Sequence, residues 1–312
     1  MELKNDKLMK YNSLPEYLKD NEYILDHYRP EWPLRQTILS IFSIHNETLN
    51  IWTHLIGFFF FLILAILTAA MIPRDIHAFT ITRIEELIIP LNTTTTNPYV
   101  LMSTMISPIL KRPITRFPFF TFLFGAMFCL LTSSLCHLLI SHSEKIAYIM
   151  LRLDYIGIAS LIITSFYTQV FYSFICFPFF FNLYMSFITV FGAATIVISL
   201  LPIFQTALFR NVRAMLFFSM GVSGVVPIMH KVIVFGDRPE AMLSAWYELL
   251  MGVFYGLGVI IYAARVPERW IPGSFDLVGH SHQLFHLLVL AGAYTHYLAG
   301  LVYLSWRDVE GC

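Results

Sequence analysis

Charge is what this sequence has least of. Only 13% of its 312 residues are Asp, Glu, Lys or Arg, against about 25% in an ordinary soluble domain. Together with 57% hydrophobic residues, that excludes a soluble enzyme and a disordered chain. The 20 basic and 20 acidic residues cancel. There is no basic excess to hold nucleic acid, so no nucleic-acid partner is expected. Cysteine is scarce too: Cys129, Cys136, Cys176 and Cys312. Cys129 and Cys136 lie seven apart on one apolar stretch and cannot pair if that stretch is helical. No disulfide framework is readable from four such positions. Cys312 is the last residue of this sequence and is not expected to be a prenylation site, which needs three residues after the cysteine. The first 35 residues hold no apolar core with a cleavage site. The expectation is no cleavable signal peptide, with the first membrane span doing the targeting.

What is abundant is apolar length. Mean hydropathy is +0.67, and 29 Phe residues suit a surface facing lipid. A spanning helix needs about 20 apolar residues. Residues 51–72 and 117–140 are each such a stretch. Residues 155–209 carry no charge and are too long for one helix; they read as two, joined near 176–182, where Pro178 breaks the run. Stretches 214–235, 241–264 and 283–306 complete seven. The expected fold is an all-α seven-helix membrane bundle, with no internal repeat. Residues 1–50 read as an inner tail, 51–306 as the bundle and 307–312 as a short outer tail.

Seven crossings place the termini on opposite sides. With the N-terminus cytoplasmic, twelve Lys and Arg face inward and eight outward, and the tail alone supplies Lys4, Lys7, Lys10, Lys19, Arg29 and Arg35. The positive-inside rule therefore favours N-terminus in and C-terminus out. On that assignment, Asn92-Thr93-Thr94 in the long loop 73–116 is an outward-facing glycosylation acceptor. Asn46-Glu47-Thr48 fits the same pattern, but on the inner side, where it should go unused. Ser13 and Glu16 have capping-box spacing, which predicts a short helix there. Ile38, Ile41, Phe42 and Ile44 predict an amphipathic helix on the inner leaflet.

Polar groups inside apolar spans usually face a cavity or a partner. His137 near the end of the second span, Asp154 at the start of the third, and His282 and His286 at the start of the seventh all fall at one membrane face. His282 and His286, four apart, share one side of a helix, and His137 offers a third nitrogen. Three histidines plus water make an open zinc site. Asp154 is placed to hold the water or orient a histidine. Ser133, one turn from His137, is placed to hydrogen-bond water or a substrate oxygen. His280 reads as a solvated neighbour, and His142, His230 and His296 as structural. Glu248 is expected to meet Tyr247 or Tyr255 or to line a cavity. Gly252-x-x-x-Gly256 reads as close helix packing.

At these residues the sequence resembles the progestin and adiponectin receptor family. The resemblance rests on Leu14-Pro15-Glu16-Tyr17-Leu18, Ile44-His45-Asn46-Glu47-Thr48, Asn50-Ile51-Trp52-Thr53-His54, Cys136-His137, Leu153-Asp154-Tyr155 with Gly157, and Ser281-His282-Gln283 with Phe285-His286. It runs from Leu14 to Cys312. Pro267-Glu268-Arg269-Trp270 and the ending Trp306-Arg307-Asp308 with Gly311-Cys312 look most like the plant heptahelical branch. The resemblance implies an intramembrane zinc ion on His137, His282 and His286, with Asp154 and Ser133 beside it as catalytic residues. It also implies a receptor role in hormone or stress signalling and a ceramidase-like hydrolysis of lipid amides. The expected partners are a ceramide-like membrane lipid, an extracellular or lipid ligand, and a cytoplasmic signalling protein held by the N-terminal tail. The expected membrane is the plasma membrane or endoplasmic reticulum. The competing reading is a non-catalytic receptor or adaptor with structural zinc. A receptor of the G-protein type is disfavoured by the inverted topology and by the lack of a lysine in the seventh span for a retinal link. A transporter is disfavoured by the absence of paired interrupted helices.

Overall fold

A computed structural model describes residues 8–71, 114–205 and 207–312. Asn92 and its acceptor pattern lie outside them. Among the described residues there are helices and no strands. We number the helices α1 (Leu34–Leu39), α2 (Thr48–Met71), α3 (Phe117–Leu139), α4 (Glu144–Phe174), α5 (Pro178–Leu200), α6 (Arg210–Val222), α7 (Val225–Val234), α8 (Pro239–Ala264) and α9 (Ser281–Glu310). Seven segments are long and apolar enough to cross a membrane, with α6 and α7 forming one of them.

Local chemistry sets the boundaries. Pro118, Pro178 and Pro239 sit in the first turns of α3, α5 and α8, where a missing N–H costs nothing. The fifth span breaks at Ser223–Gly224, because Pro227 has no N–H to give the Ser223 carbonyl. α4 starts at Glu144, well before the apolar stretch that announces it. The guanidinium of Arg152 lies 3.9 Å over the Tyr148 ring and donates to Leu200 O at 2.7 Å. Its charge is thus carried on the flank of a continuing helix. Asp154 consequently lies well inside α4 rather than at its start, and the helix dipole does not account for it.

α3 and α9 are the most enclosed helices. Phe119, Phe122, Leu123 and Leu130 of α3 meet Phe61 of α2 and Ala293, Tyr303 and Trp306 of α9 in the main core. Gly300 permits this closeness: a Cβ there would stand 2.1 Å from Cε2 of Phe119. A smaller core joins Phe166, Val170 and Phe174 of α4 to Ile188 of α5 and Met220 of α6.

The segment before α2 folds back onto the bundle. Met9 and Tyr28 exchange backbone hydrogen bonds of 2.7 and 3.0 Å, and Leu14, Ile24 and Trp32 are buried. The capping box is not formed. Ser13 belongs to a short 3-10 turn, neither turn in this segment has a side-chain cap, and Glu16 pairs with Lys19 at 2.6 Å. Pro15 between Ser13 and Glu16 holds extended backbone instead. The amphipathic helix is present as α1 plus a turn over Ser40–Phe42, with Ile38, Phe42 and Ile44 exposed.

At the opposite end, Cys176 and Cys312 form a disulfide with their Cα atoms 5.2 Å apart. The sequence spacing did not disclose this pairing, since it joins positions 136 residues apart. Cys129 and Cys136 are free and buried, in line with expectation. Arg307 donates to the carbonyls of Tyr172 and Ser173 at 2.5 and 2.9 Å. It thereby satisfies carbonyls that the end of α4 leaves open.

Candidate metal centre

The fold brings His137, His282 and His286 together. One ring nitrogen from each lies within 4.8 Å of the other two, and the ring centroids are 4.7 to 4.9 Å apart. α9 supplies two of them a turn apart, and the last turn of α3 faces them with the third. His137 and His286 are buried.

The outer nitrogens are already assigned. His137 Nδ1 donates to Glu47 Oε2 at 2.7 Å, and its buried Nε2 has no partner. His286 Nδ1 donates to the Asn50 carbonyl at 3.2 Å. Such bonds fix the tautomer and aim Nε2 inward, the arrangement of histidines that ligate metal. The donor set therefore fits a metal ion, and this buried group could hold one. The His54 ring stacks on His286 at 3.6 Å and 8°.

Glu47 was quoted above only as part of a motif, and its role was missed. No spacing points from residue 47 to residue 137. The one signal was a carboxylate at the mouth of an apolar span. Its carboxylate also accepts from Asn50 Nδ2 at 2.7 Å. Burial opposes its charge, but the His137 ring and the Asn50 amide outweigh that and hold its pKa below the usual carboxylate range. Arg29, likewise unforeseen, is buried and donates to the His137 and Leu138 carbonyls at 2.5 and 2.8 Å, pinning the end of α3.

Ser133 and Asp154 line the same cavity as the three histidines. Gly157 lets α4 approach α3 here: a Cβ there would lie 2.4 Å from Thr132 Oγ1 and 3.0 Å from Cα of Cys129. The Tyr262 ring meets His282 edge-on at 5.4 Å and carries the Arg210 guanidinium 4.2 Å above it.

All five sequence-predicted residues line one cavity of ≈1100 Å³. It begins under Tyr17 and Asp20 of the N-terminal segment and runs past the histidines to Glu248. Val225, Met229, Trp246 and Val253 also line it and are exposed on the outer surface of the bundle. The cavity therefore opens sideways between α7 and α8, toward lipid. Gly252 and Gly256 belong to this wall. Nothing lies within 4 Å of a Cβ at either, so they do not pack helices as expected. The small-x-x-x-small spacing is the same whether it faces a helix or a void.

One further expectation fails, and another holds in only one of its alternatives. His280 is buried, not solvated, and its Nε2 lies 3.4 Å from the Asn46 carbonyl; the folded N-terminal segment covers it. Burial lowers its pKa. Glu248 meets neither Tyr247 nor Tyr255 but lines the cavity, the other alternative expected of it. It binds Lys231 at 2.6 Å and accepts from Tyr303 at 2.6 Å.

Comparison with known proteins agrees with this architecture. The family described as Haemolysin-III related matches residues 42–297. Heptahelical transmembrane protein 4 of Arabidopsis thaliana is 54% identical, over 98% of this chain and 90% of its own. Heptahelical transmembrane protein ADIPOR3 of Oryza sativa subsp. japonica is 50% identical, over 98% and 92%. The adiponectin receptor protein of Drosophila melanogaster is 36% identical, over 93% of this chain and 58% of its own. An integral, multi-pass bundle that matches the two plant proteins almost end to end belongs to the progestin and adiponectin receptor family, as one of its heptahelical transmembrane members.

Proposed function

We propose that this protein is an adiponectin receptor-like membrane receptor in hormone or stress signalling, whose histidine centre holds zinc and hydrolyses ceramide-like lipid amides. The observation that carries the reading is the grouping of Ser133 and Asp154 with His137, His282 and His286 in one cavity that opens to lipid. His137, His282 and His286 would hold the ion, and zinc in such a set supplies Lewis acidity and a water ionising near neutral pH. The chain's own residues do the rest. Asp154 accepts a proton from the attacking water and returns it to the leaving amine nitrogen as the C–N bond breaks. Ser133 turns its hydroxyl hydrogen toward the carbonyl oxygen as that oxygen gains charge. The products are a fatty acid and an amine, and both retain hydrocarbon chains that leave through the lateral opening.

Orientation belongs to the same proposal: the N-terminus and the metal centre face the cytoplasm. The Lys and Arg distribution supports it. So does the Cys176–Cys312 disulfide at the far end, since disulfides persist in oxidising compartments. The membrane is the plasma membrane or the endoplasmic reticulum. The folded N-terminal segment and α1 are then offered to a cytoplasmic signalling partner.

The test is fatty-acid release from labelled ceramide by purified, zinc-replete protein, with His137→Ala and Asp154→Ala alongside. Release lost in both variants, with zinc lost only from His137→Ala, supports the assignment. Undiminished release by Asp154→Ala overturns its role. A second reading draws on one observation: residues of α2, α3 and α9 all converge on the centre. In that reading zinc staples the helices of a non-catalytic receptor or adaptor. It predicts no turnover from folded, zinc-loaded protein and a loss of thermal stability on chelation.

A further inference from the structure

A second cavity, which shares Arg210 with the large one, lies at the same membrane face where α8 ends and α6 begins. Its volume is ≈300 Å³, and Arg210, Arg265, Arg269, Asn211, Glu22 and Leu208 are among its lining residues. Three guanidinium groups there meet a single carboxylate. Arg265 spends its charge on Glu22 and donates to the Asp20 carbonyl at 2.5 Å. Arg210 is buried and donates to the Tyr262 carbonyl, and its buried Nε has no partner. Arg269 is exposed, with its side chain outside that ion pair. Two positive charges in this cavity are thus uncompensated.

The rim is apolar where a headgroup site needs it to be. Leu208 is 84% exposed, and Trp270 and Ile271, next to Arg269, are 73% and 58% exposed. Tryptophan and aliphatic side chains at the ends of spanning helices settle at the headgroup–acyl boundary. Guanidinium forks match phosphate oxygens in pairs. A cavity of this size takes a phosphate-bearing headgroup and leaves the acyl chains outside, against Leu208, Trp270 and Ile271.

We infer that this cavity binds the phosphate of an anionic phospholipid from the adjoining leaflet, through Arg269 and Arg210, with Trp270 and Ile271 in contact with its acyl chains. The site stands apart from the hydrolytic reading above. Its position gives it a consequence, because α6 and α8 adjoin the lateral opening of the large cavity. A bound lipid would tie the membrane-face ends of those helices together.

Native mass spectrometry of the full chain in detergent tests this, with dioleoyl phosphatidylinositol 4-phosphate and dioleoyl phosphatidylcholine supplied at equal concentration. The expected result is one retained phosphoinositide per chain, favoured over phosphatidylcholine by about tenfold or more. Arg269→Gln should remove about tenfold of that preference, and Arg269→Lys should restore part of it. Trp270→Ser should weaken lipid retention while leaving soluble inositol 1,4-bisphosphate binding unchanged. Metal content should be the same in every variant. Equal retention of both lipids, or unchanged preference in a folded Arg269→Gln protein, overturns the site. Inorganic phosphate that binds alone and displaces the lipid at low millimolar concentration also overturns the lipid assignment.

Discussion

Two buried polar clusters occupy opposite ends of this bundle, and they differ in whether they are complete. Toward the end that carries the disulfide, Lys231 donates to Glu248, Ser244 and Tyr303 at 2.6, 2.9 and 2.6 Å. Tyr303 donates to the other Glu248 oxygen at 2.6 Å, and Ser173 donates to Tyr303 at 3.2 Å. The ammonium spends its three hydrogens, and each carboxylate oxygen accepts. At the histidine end, His137 Nε2, both nitrogens of His54, and the side-chain oxygens of Asn46 and Asn50 are buried without a partner. Unpaired buried polar atoms are costly, so a native protein that keeps several in one place keeps them for something that binds. The closed cluster is a structural joint of α4, α7, α8 and α9. The open one could hold an ion.

The largest expected effect breaks that comparison at its open end. His137→Ala should reduce bound zinc from stoichiometric to near zero, as read by elemental analysis of purified protein. The fold should survive, because the lost ring makes one hydrogen bond, to Glu47, and its ring contacts are with the other two histidines of the centre. Retention of full zinc would show that the ion sits elsewhere.

Next in size is the closed end. Lys231→Met leaves Glu248 buried without its counter-ion, and breaking such a pair costs about 3–5 kcal/mol. A large drop in melting temperature in detergent is expected, with zinc content unchanged. Adding Glu248→Leu to Lys231→Met should recover much of the loss, since an apolar pair of similar volume often replaces a buried ion pair at little cost. If the single variant were as stable as wild type, the cluster would not be a joint.

How much of this contrast was legible in the sequence follows from helix periodicity. Hydrophobic length announces the seven spans, and crossing parity puts His137, Asp154, His282 and His286 at one face. Pairings across the bundle depend on how each helix is rotated about its axis, which neither length nor parity reports. Glu47 reaches His137 across 90 residues, Lys231 reaches Glu248 across 17 and Cys176 reaches Cys312 across 136. The Gly252–Gly256 spacing misleads for the same reason. His280 misleads because a segment that hydropathy reads as a polar tail folds over it.

A smaller effect concerns pH at the edge of the open cluster. His45 Nδ1 accepts from the Glu47 N–H at 3.1 Å, and its Nε2 donates to the Ser40 carbonyl at 3.1 Å, so the ring is held neutral. Burial, with Arg29 adding to it, brings its pKa down to about 4. The unfolded chain titrates at about 6.5 and therefore binds more protons than the folded one between these values. Stability attributable to His45 is fully present above about pH 6.5. It is lost progressively as pH falls toward 4, by up to about 3 kcal/mol. His45→Gln should flatten that part of the stability–pH curve. An unchanged slope would remove His45 from the account.

The finest test separates two things Glu47 does for His137: it orients the ring and it makes the ring more basic. Glu47→Gln keeps an oxygen that can accept from Nδ1, so orientation persists while the negative charge is lost. Glu47→Ala removes both. Loss of a partner that orients a metal-ligating histidine lowers metal affinity by about 10- to 100-fold. The Gln variant should fall near the smaller figure and the Ala variant near the larger, as read by competition with a chelator. At the closed end no such grading is expected, because Lys231 and Glu248 need each other's charge and a neutral isostere does not substitute. If Glu47→Gln lost as much zinc as Glu47→Ala, charge alone would carry the effect, and the open cluster would obey the same rule as the closed one. If Glu47→Gln lost none, Glu47 would act on ring geometry only, and the Arg29 anchor on the end of α3 would be the next residue to change.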